Sequence, residues 1–139
     1  MENVSNNKIL KDSIHCFISA EAHEFQKRSQ LKEDDMLFSI AGTIGKICLI
    51  TNKDVPANTN QAFAIISGYQ SIILPKYLLY YLEWSKLSNN SVDSHGAGML
   101  NATLGGIKNL NIWFPKLKVN QQKIVDDIDL KMLLLNSIL

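Results

Sequence analysis

The side chains able to do covalent or metal chemistry are few, and their spacing works against it. His15, Cys16, His23 and Cys48 are the elements of a zinc site, but no C-x-x-C or H-x-x-x-H spacing joins them. A strand over residues 14–18 would send His15 and Cys16 to opposite faces, so two buried thiols beside a surface imidazole are the plainer reading. His95 sits between Ser94 and Gly96 with no G-x-S-x-G elbow to supply a nucleophile. Asp34-Asp35 and Asp126-Asp127 are paired carboxylates, one pair in a predicted turn and one on a predicted helix, and read as solvated faces. Gly42-Thr43-Ile44-Gly45-Lys46-Ile47 has a superficial likeness to a phosphate-binding loop. Its glycines are too close, Lys46 precedes Ile47 rather than Ser or Thr, and a strand follows where a helix is needed. The expectation is a chain with no catalytic residue, no metal and no cofactor, hence no enzyme.

The polar inventory points elsewhere. The chain has 13 Asn, 6 Gln and 12 Ser against one arginine, Arg28. Asn and Gln can read adenine bidentately in a major groove, and lysine neutralises phosphate. The segment His23-Glu24-Phe25-Gln26-Lys27-Arg28-Ser29-Gln30 gathers amides and bases in one place and suits groove reading; an exposed helix face is the alternative. Net charge is only +1 and no basic block exists, so any nucleic-acid contact comes from a local patch, and a polybasic membrane binder is excluded.

With 139 residues, 46% hydrophobic and 19% charged, the chain suits one globular domain with a real core. Two cysteines make no disulfide framework, which fits a reduced, cytoplasmic protein. No apolar run reaches the ~18–20 residues that span a bilayer, and the polar start is no secretory signal.

These residues need elements to position them. Residues 1–13 are polar and mixed and predict a frayed or truncated start. Residues 14–18 predict a short strand. Ser19 predicts an N-cap for a helix running to about Arg28 that buries Ala22 and Phe25. Residues 32–35 predict a solvated turn. Residues 36–40 and 46–51 predict strands joined through the glycine loop, and residues 61–67 a third. Pro75 opens a helix that buries Leu74, Leu78, Tyr81 and Leu82 and leaves Lys76, Glu83 and Lys86 wet. Residues 88–106 hold four glycines and predict a long loop; residues 110–114 predict a strand ended by Pro115. Asn120 predicts the cap of a helix to the last residue. Its apolar positions Val125, Ile128, Met132, Leu135 and Leu139 are spaced 3, 4, 3, 4, a heptad seam.

Three segments in order carry a resemblance. Asp35-Met36-Leu37-Phe38-Ser39-Ile40-Ala41-Gly42-Thr43-Ile44-Gly45-Lys46 resembles a motif running Gly-Asp-Ile-Leu, apolar, Ser, then Gly-Thr-x-Gly-Lys. Asn60-Gln61-Ala62-Phe63 resembles its partner Asn-Gln-x-Phe strand. Leu110-Asn111-Ile112-Trp113-Phe114-Pro115, then Leu117, Gln121 or Gln122, and Ile124-Val125, resembles the closing segment that leads into a long helix. Together, over residues 14–139, they resemble the target-recognition domain of the specificity subunit of type I restriction–modification systems. Asp34 stands where the family has Gly, and Pro115-Lys116 where it has Pro-Pro.

The resemblance implies an α/β (α+β, mixed-sheet) recognition domain followed by a long C-terminal coiled-coil-type helix. Residues 1–118 would be the DNA target-recognition domain, and residues 119–139 the start of the spacer or dimerisation helix. It also implies a single copy lacking some N-terminal structure and most of the spacer. The implied partners are double-stranded DNA, a methyltransferase (modification) subunit and, indirectly, an endonuclease subunit, with DNA methylation and cleavage performed by those subunits. Expected DNA contacts are Gln26, Lys27, Arg28 and Gln30 for bases, with Thr43, Lys46, Asn101 and Lys108 as phosphate or polar contacts. Asn58, Asn60 and Gln61 are expected to satisfy backbone groups instead. The seam Val125, Ile128, Met132, Leu135 and Leu139 would form a homodimer or a partner interface. The competing reading is a module that dimerises or docks to the methyltransferase subunit without reading DNA.

Overall fold

The computed structural model describes residues 3–90 and 104–138, with backbone alone at 87–90 and 104–105. Its centre is β3 (Met36–Ser39), whose four residues are all buried. Consecutive apolar side chains point to opposite faces, so such a strand is stable only when both faces are covered. β3 pairs antiparallel with β4 (Ile47–Leu49) and with β5 (Phe63–Ile66), in the order β4-β3-β5. The register sets Leu37 opposite Cys48 and Ile65, and Phe38 opposite Ile47 and Ala64.

One face, with Met36, Phe38 and Ile47, packs on Leu78, Leu79 and Leu82 of α2 (Pro75–Asn90). The other face, with Leu37 and Cys48, is covered by Val4, Leu31 and Ile50. Val4 belongs to a small hairpin, β1 (Val4–Ser5) with β2 (Lys8–Ile9), turned by Asn6 and Asn7 at φ 49° and 61°. Asn tolerates that left-handed conformation better than most residues, so residues 4–9 form a hairpin where a frayed or truncated start was expected. Burial pushes the Cys48 thiol up to about 12, with Asp54 adding to the shift; it is a packing group. Cys16 is exposed, against the expectation of two buried thiols.

Four predicted elements differ. Residues 14–18 are extended with no strand beside them, and Phe17 is 84% exposed. The helix after Ser19 is α1 (Ala20–Phe25), capped as predicted by the Ser19 hydroxyl accepting from Ala22 N at 3.1 Å. It stops before Arg28 because Gln26 leaves helical geometry, and Phe25 points to solvent instead of the core. Residues 110–114 alternate in and out as a strand would, with Leu110, Ile112 and Phe114 on the core, but they join no sheet. Instead the Tyr77 and Tyr81 hydroxyls of α2 donate to the Trp113 and Asn111 carbonyls at 3.0 and 3.1 Å. Part of the predicted glycine loop is helical, α3 (Leu104–Lys108).

The last helix, α4 (Lys118–Ile138), begins before Asn120, whose N–H donates to Leu117 O inside the first turn. Gln121 and Val125 on this helix are fully buried. The Gln121 amide donates to Ile72 O at 3.0 Å and Pro115 O at 2.8 Å, and its carbonyl accepts from Leu74 N at 2.8 Å. Lower on the helix Asp129 pairs with Lys76 at 2.5 Å and accepts from the Tyr80 hydroxyl, and these two bonds hold its carboxyl below the usual range. Both partners are substantially exposed, so this pair orients the helix more than it stabilises it. The opening turns of α4 therefore pack into the same core as α2 and the segment before Pro115. Among the described residues no helix is long and apolar enough to cross a membrane.

Replacing Gln121 by Leu keeps the volume but orphans Leu74 N, Ile72 O and Pro115 O. The expected cost is about 2–4 kcal/mol in urea unfolding. Gln122→Leu, on an exposed residue bonded only to Asp126, should stay within about 0.5 kcal/mol.

Candidate nucleic-acid interface

After α1 the chain makes a 3₁₀ turn, Lys27–Ser29, and there Gln26, Lys27 and Arg28 are all exposed. An exposed turn ordinarily wanders, but this one is clamped. The Asn58 amide donates to Ser29 Oγ at 2.7 Å and to Gln26 O at 3.4 Å. With its amide nitrogen committed, Asn58 offers its oxygen to His23 Nδ1, which therefore carries the ring proton. Thr59 N donates to Ser29 O and Leu31 N to Ala57 O, both at 2.9 Å, continuing the clamp along the backbone. Gln30 lies within it: its amide donates to His23 O at 2.7 Å, and Gln30 forms an isolated bridge with Asn58.

The predicted base-reading set thus splits. Gln26, Lys27 and Arg28 face solvent together, whereas Gln30 is a strut beneath them. Asn58 and Asn60 are struts as expected; Asn60 Oδ1 accepts from Ala62 N at 3.0 Å. Gln61 is exposed. The residue with the largest part in fixing the segment, Asn58, has its signal only in the sequence motif neighbourhood of Asn60-Gln61, and nothing local links it to His23.

The second predicted contact region is the loop between β3 and β4. Ser39 closes it: its hydroxyl donates to Thr43 O at 2.6 Å and accepts from Lys46 N at 2.7 Å, and Gly45 N donates to Ser39 O at 3.0 Å. Gly42 and Gly45 sit at φ 66° and 83°, the conformations the sequence requires of them. Thr43 is exposed at the tip. Lys46 is not there with it: its ammonium reaches back to Val4 O at 3.1 Å, tying the N-terminal hairpin to the sheet. Lys108 is exposed at the end of α3. Asn101 lies outside the described residues.

The two members of the Asp34-Asp35 pair take different roles. Asp35, predicted as solvated, is buried and accepts from Lys32 N at 2.8 Å. Desolvation raises its carboxyl above the usual range despite that bond. The Asp34 carbonyl accepts from the Tyr69 hydroxyl at 2.5 Å, and burial pushes that phenol up. Among the described residues no group of three His, Cys, Asp or Glu could hold a metal ion.

The predicted seam also splits. Val125 is 2% exposed in the chain's own core and Ile128 is half-buried, while Met132 and Leu135 are exposed. Val125 is therefore not free to form the first rung of an intermolecular seam. Leu139 lies outside the described residues. Leu130, Leu133, Leu134 and Ile138 are exposed as well, so the apolar surface wraps more of the helix than a strict heptad stripe.

A family model described as the type I restriction modification DNA specificity domain matches residues 2–130. The curated proteins and the solved structures contain no match.

Asn58→Ala should remove the clamp while leaving Gln26, Lys27 and Arg28 in place. Hydrogen exchange at residues 23–30 is expected to speed up, with a stability loss of about 1–3 kcal/mol. Unchanged protection there would show that the clamp lies elsewhere.

Proposed function

The chain belongs to the type I restriction modification DNA specificity domain family, and on that premise we propose that it reads its DNA target through Gln26, Lys27 and Arg28. The observation that carries this is the combination of exposure and restraint: three hydrogen-bonding side chains face solvent from a backbone that Asn58 and Gln30 hold from behind. Groove reading requires donors and acceptors in fixed register, and ordering a loose loop on binding would cost affinity. Arginine and lysine suit guanine O6 and N7, and glutamine suits adenine N6 and N7. The neighbouring Phe25 ring, 87% exposed, suits a thymine methyl. Thr43 and Lys108 serve as backbone contacts.

No step of bond making or breaking is assigned to this chain. It directs a methyltransferase subunit, and through that an endonuclease subunit, acting in the cytoplasm on duplex DNA. The exposed apolar half of α4 supports pairing with a second copy through Met132 and Leu135, which would place two recognition segments on a two-fold axis over a split, symmetric site. The same apolar surface favours a second reading, in which the chain is an interaction module that docks to the methyltransferase subunit without reading bases.

Selection from a randomised duplex library, with the methyltransferase partner present, decides between the two. A defined sequence preference is expected, and Arg28→Ala should relax it at one position by about 1–3 kcal/mol. Flat affinity across the library would overturn base reading. For the helix, replacing Met132 and Leu135 by Asp should turn a dimer into a monomer in light scattering without lowering the unfolding midpoint. A dimer that survives both changes would sink the pairing proposal.

A further inference from the structure

The clamp beneath the Lys27–Ser29 turn fixes a proton as well as a backbone. Ser29 Oγ donates to Gln26 O at 3.0 Å, so its one hydrogen is spent and towards Asn58 it can only accept, at 2.7 Å. Gln26 O is a second acceptor, 3.4 Å from the same Asn58 nitrogen. With two acceptors on one side, the Asn58 amide turns its nitrogen to them and its oxygen to His23 Nδ1. The ring hydrogen of the neutral imidazole therefore sits on Nδ1, and Nε2 keeps a lone pair.

That second nitrogen makes no hydrogen bond among the described residues. Among them Ser85 Oγ is the buried side-chain polar atom left without a partner, so Nε2 of half-buried His23 is in contact with solvent. The residue is also held still. Its N–H donates to Ser19 O at 2.9 Å, its carbonyl accepts from the Gln30 amide at 2.7 Å, and its ring is tied to Asn58. A stiff, uncharged acceptor thus opens the segment that continues into exposed Gln26, Lys27 and Arg28.

The neighbours of that acceptor do not duplicate it. Lys27 and Arg28 only donate, which suits the acceptors of guanine. The major groove also displays an amine, N6 of adenine or N4 of cytosine, and reading it takes an acceptor. Gln26 has one, but its amide presents either end. Glu24 is exposed and accepts too, yet it carries a full negative charge into the field of the phosphates. A neutral imidazole accepts without that cost, and Asn58 has oriented it before any DNA arrives, which spares the free energy of ordering it on binding.

We propose that His23 is a fourth base-reading residue, whose Nε2 accepts from the exocyclic amine of an adenine or a cytosine in the major groove. The proposal rests on the DNA-recognition reading above and deepens it. Asn58 then has two tasks, clamping the turn and choosing the tautomer that makes His23 an acceptor.

The test uses His23→Asn in the full chain. Asparagine places an amide nitrogen near the position of Nδ1, where it can still donate to Asn58, and leaves nothing at Nε2. Hydrogen exchange over residues 23–30 should match the unaltered chain. In selection from the randomised duplex library, with the methyltransferase partner present, discrimination should fall at one base pair by about 5- to 150-fold and hold elsewhere, including where Arg28→Ala relaxes it. A second measurement is indifferent to any loss of folding. A duplex whose base at that position lacks its amine (purine for adenine, pyrimidinone for cytosine) should bind the unaltered chain more weakly by a similar factor, and bind His23→Asn no differently from the intact duplex. If His23→Asn keeps its preference at every position, or if the amine-free duplex binds the unaltered chain as well as the intact one, this role for His23 is overturned while Gln26, Lys27 and Arg28 stand. The same loss at the same base pair in Glu24→Gln, with His23→Asn unaffected, would assign the acceptor to Glu24 and overturn the proposal. Faster exchange with preference relaxed evenly at all positions would make His23 a strut of the clamp and nothing more. Flat affinity in the unaltered chain would bring down both readings.

Discussion

The fold depends on one buried amide. Gln121 sits at the start of α4, yet its three hydrogen bonds reach Ile72 and Leu74 ahead of α2 and Pro115 at the end of the extended segment. The Leu74 N–H at the entry to a helix has no helical partner, and here a side chain supplies the acceptor. Gln121 supplies it and uses its amide hydrogens on two carbonyls with the same need. The side chain thereby fastens together the helix under the sheet, the segment beside that helix, and the helix that leaves the domain. The departure angle of α4 follows from this contact and from the Asp129 pair with Lys76 and Tyr80.

Amides recur as fasteners throughout. Asn58 holds the Lys27–Ser29 turn, Gln30 braces it, and Asn60 turns the chain into β5. Each does what an apolar residue cannot, bridging backbone or polar groups between segments that share no ladder. The richness in Asn and Gln, which on composition alone suggests a base-reading surface, is in large part a framework for irregular chain. Relatively few amides remain facing outward, Gln26 among them.

The two ends of α4 live in different environments. Val125 belongs to the core, whereas Leu133, Leu134 and Leu135 are each more than half exposed. The change comes near Asp129, beyond which every described residue of the helix is exposed. Apolar area of this extent on an exposed helix gains free energy when covered, which is what supports the pairing proposed for it.

Much was legible in local pattern, because it is decided by neighbours along the chain. The unbroken apolar run around Met36 required a strand buried on both faces, Ser19 required a helix start, Gly42 and Gly45 required a tight loop, and Pro75 opened a helix. The ordered motifs pointed to the family. Pattern failed where a segment's partner lay far away. Residues 110–114 have the alternation of a strand, but tyrosine hydroxyls on α2 took the place of a neighbouring strand. Phe25 has the periodicity of a core residue, but its helix ends at Gln26 and no core lies against its ring, which is 87% exposed. Gln121 and Gln122 are the same residue type side by side, and local pattern left both open; the one that faces Leu74 N was chosen by packing. The Lys86 ammonium and Gly45 O, joined by a hydrogen bond, are positions that only a folded chain brings together. Periodicity and turn chemistry act over a few residues, and satisfying a buried polar group depends on whatever the rest of the molecule places within three ångströms of it.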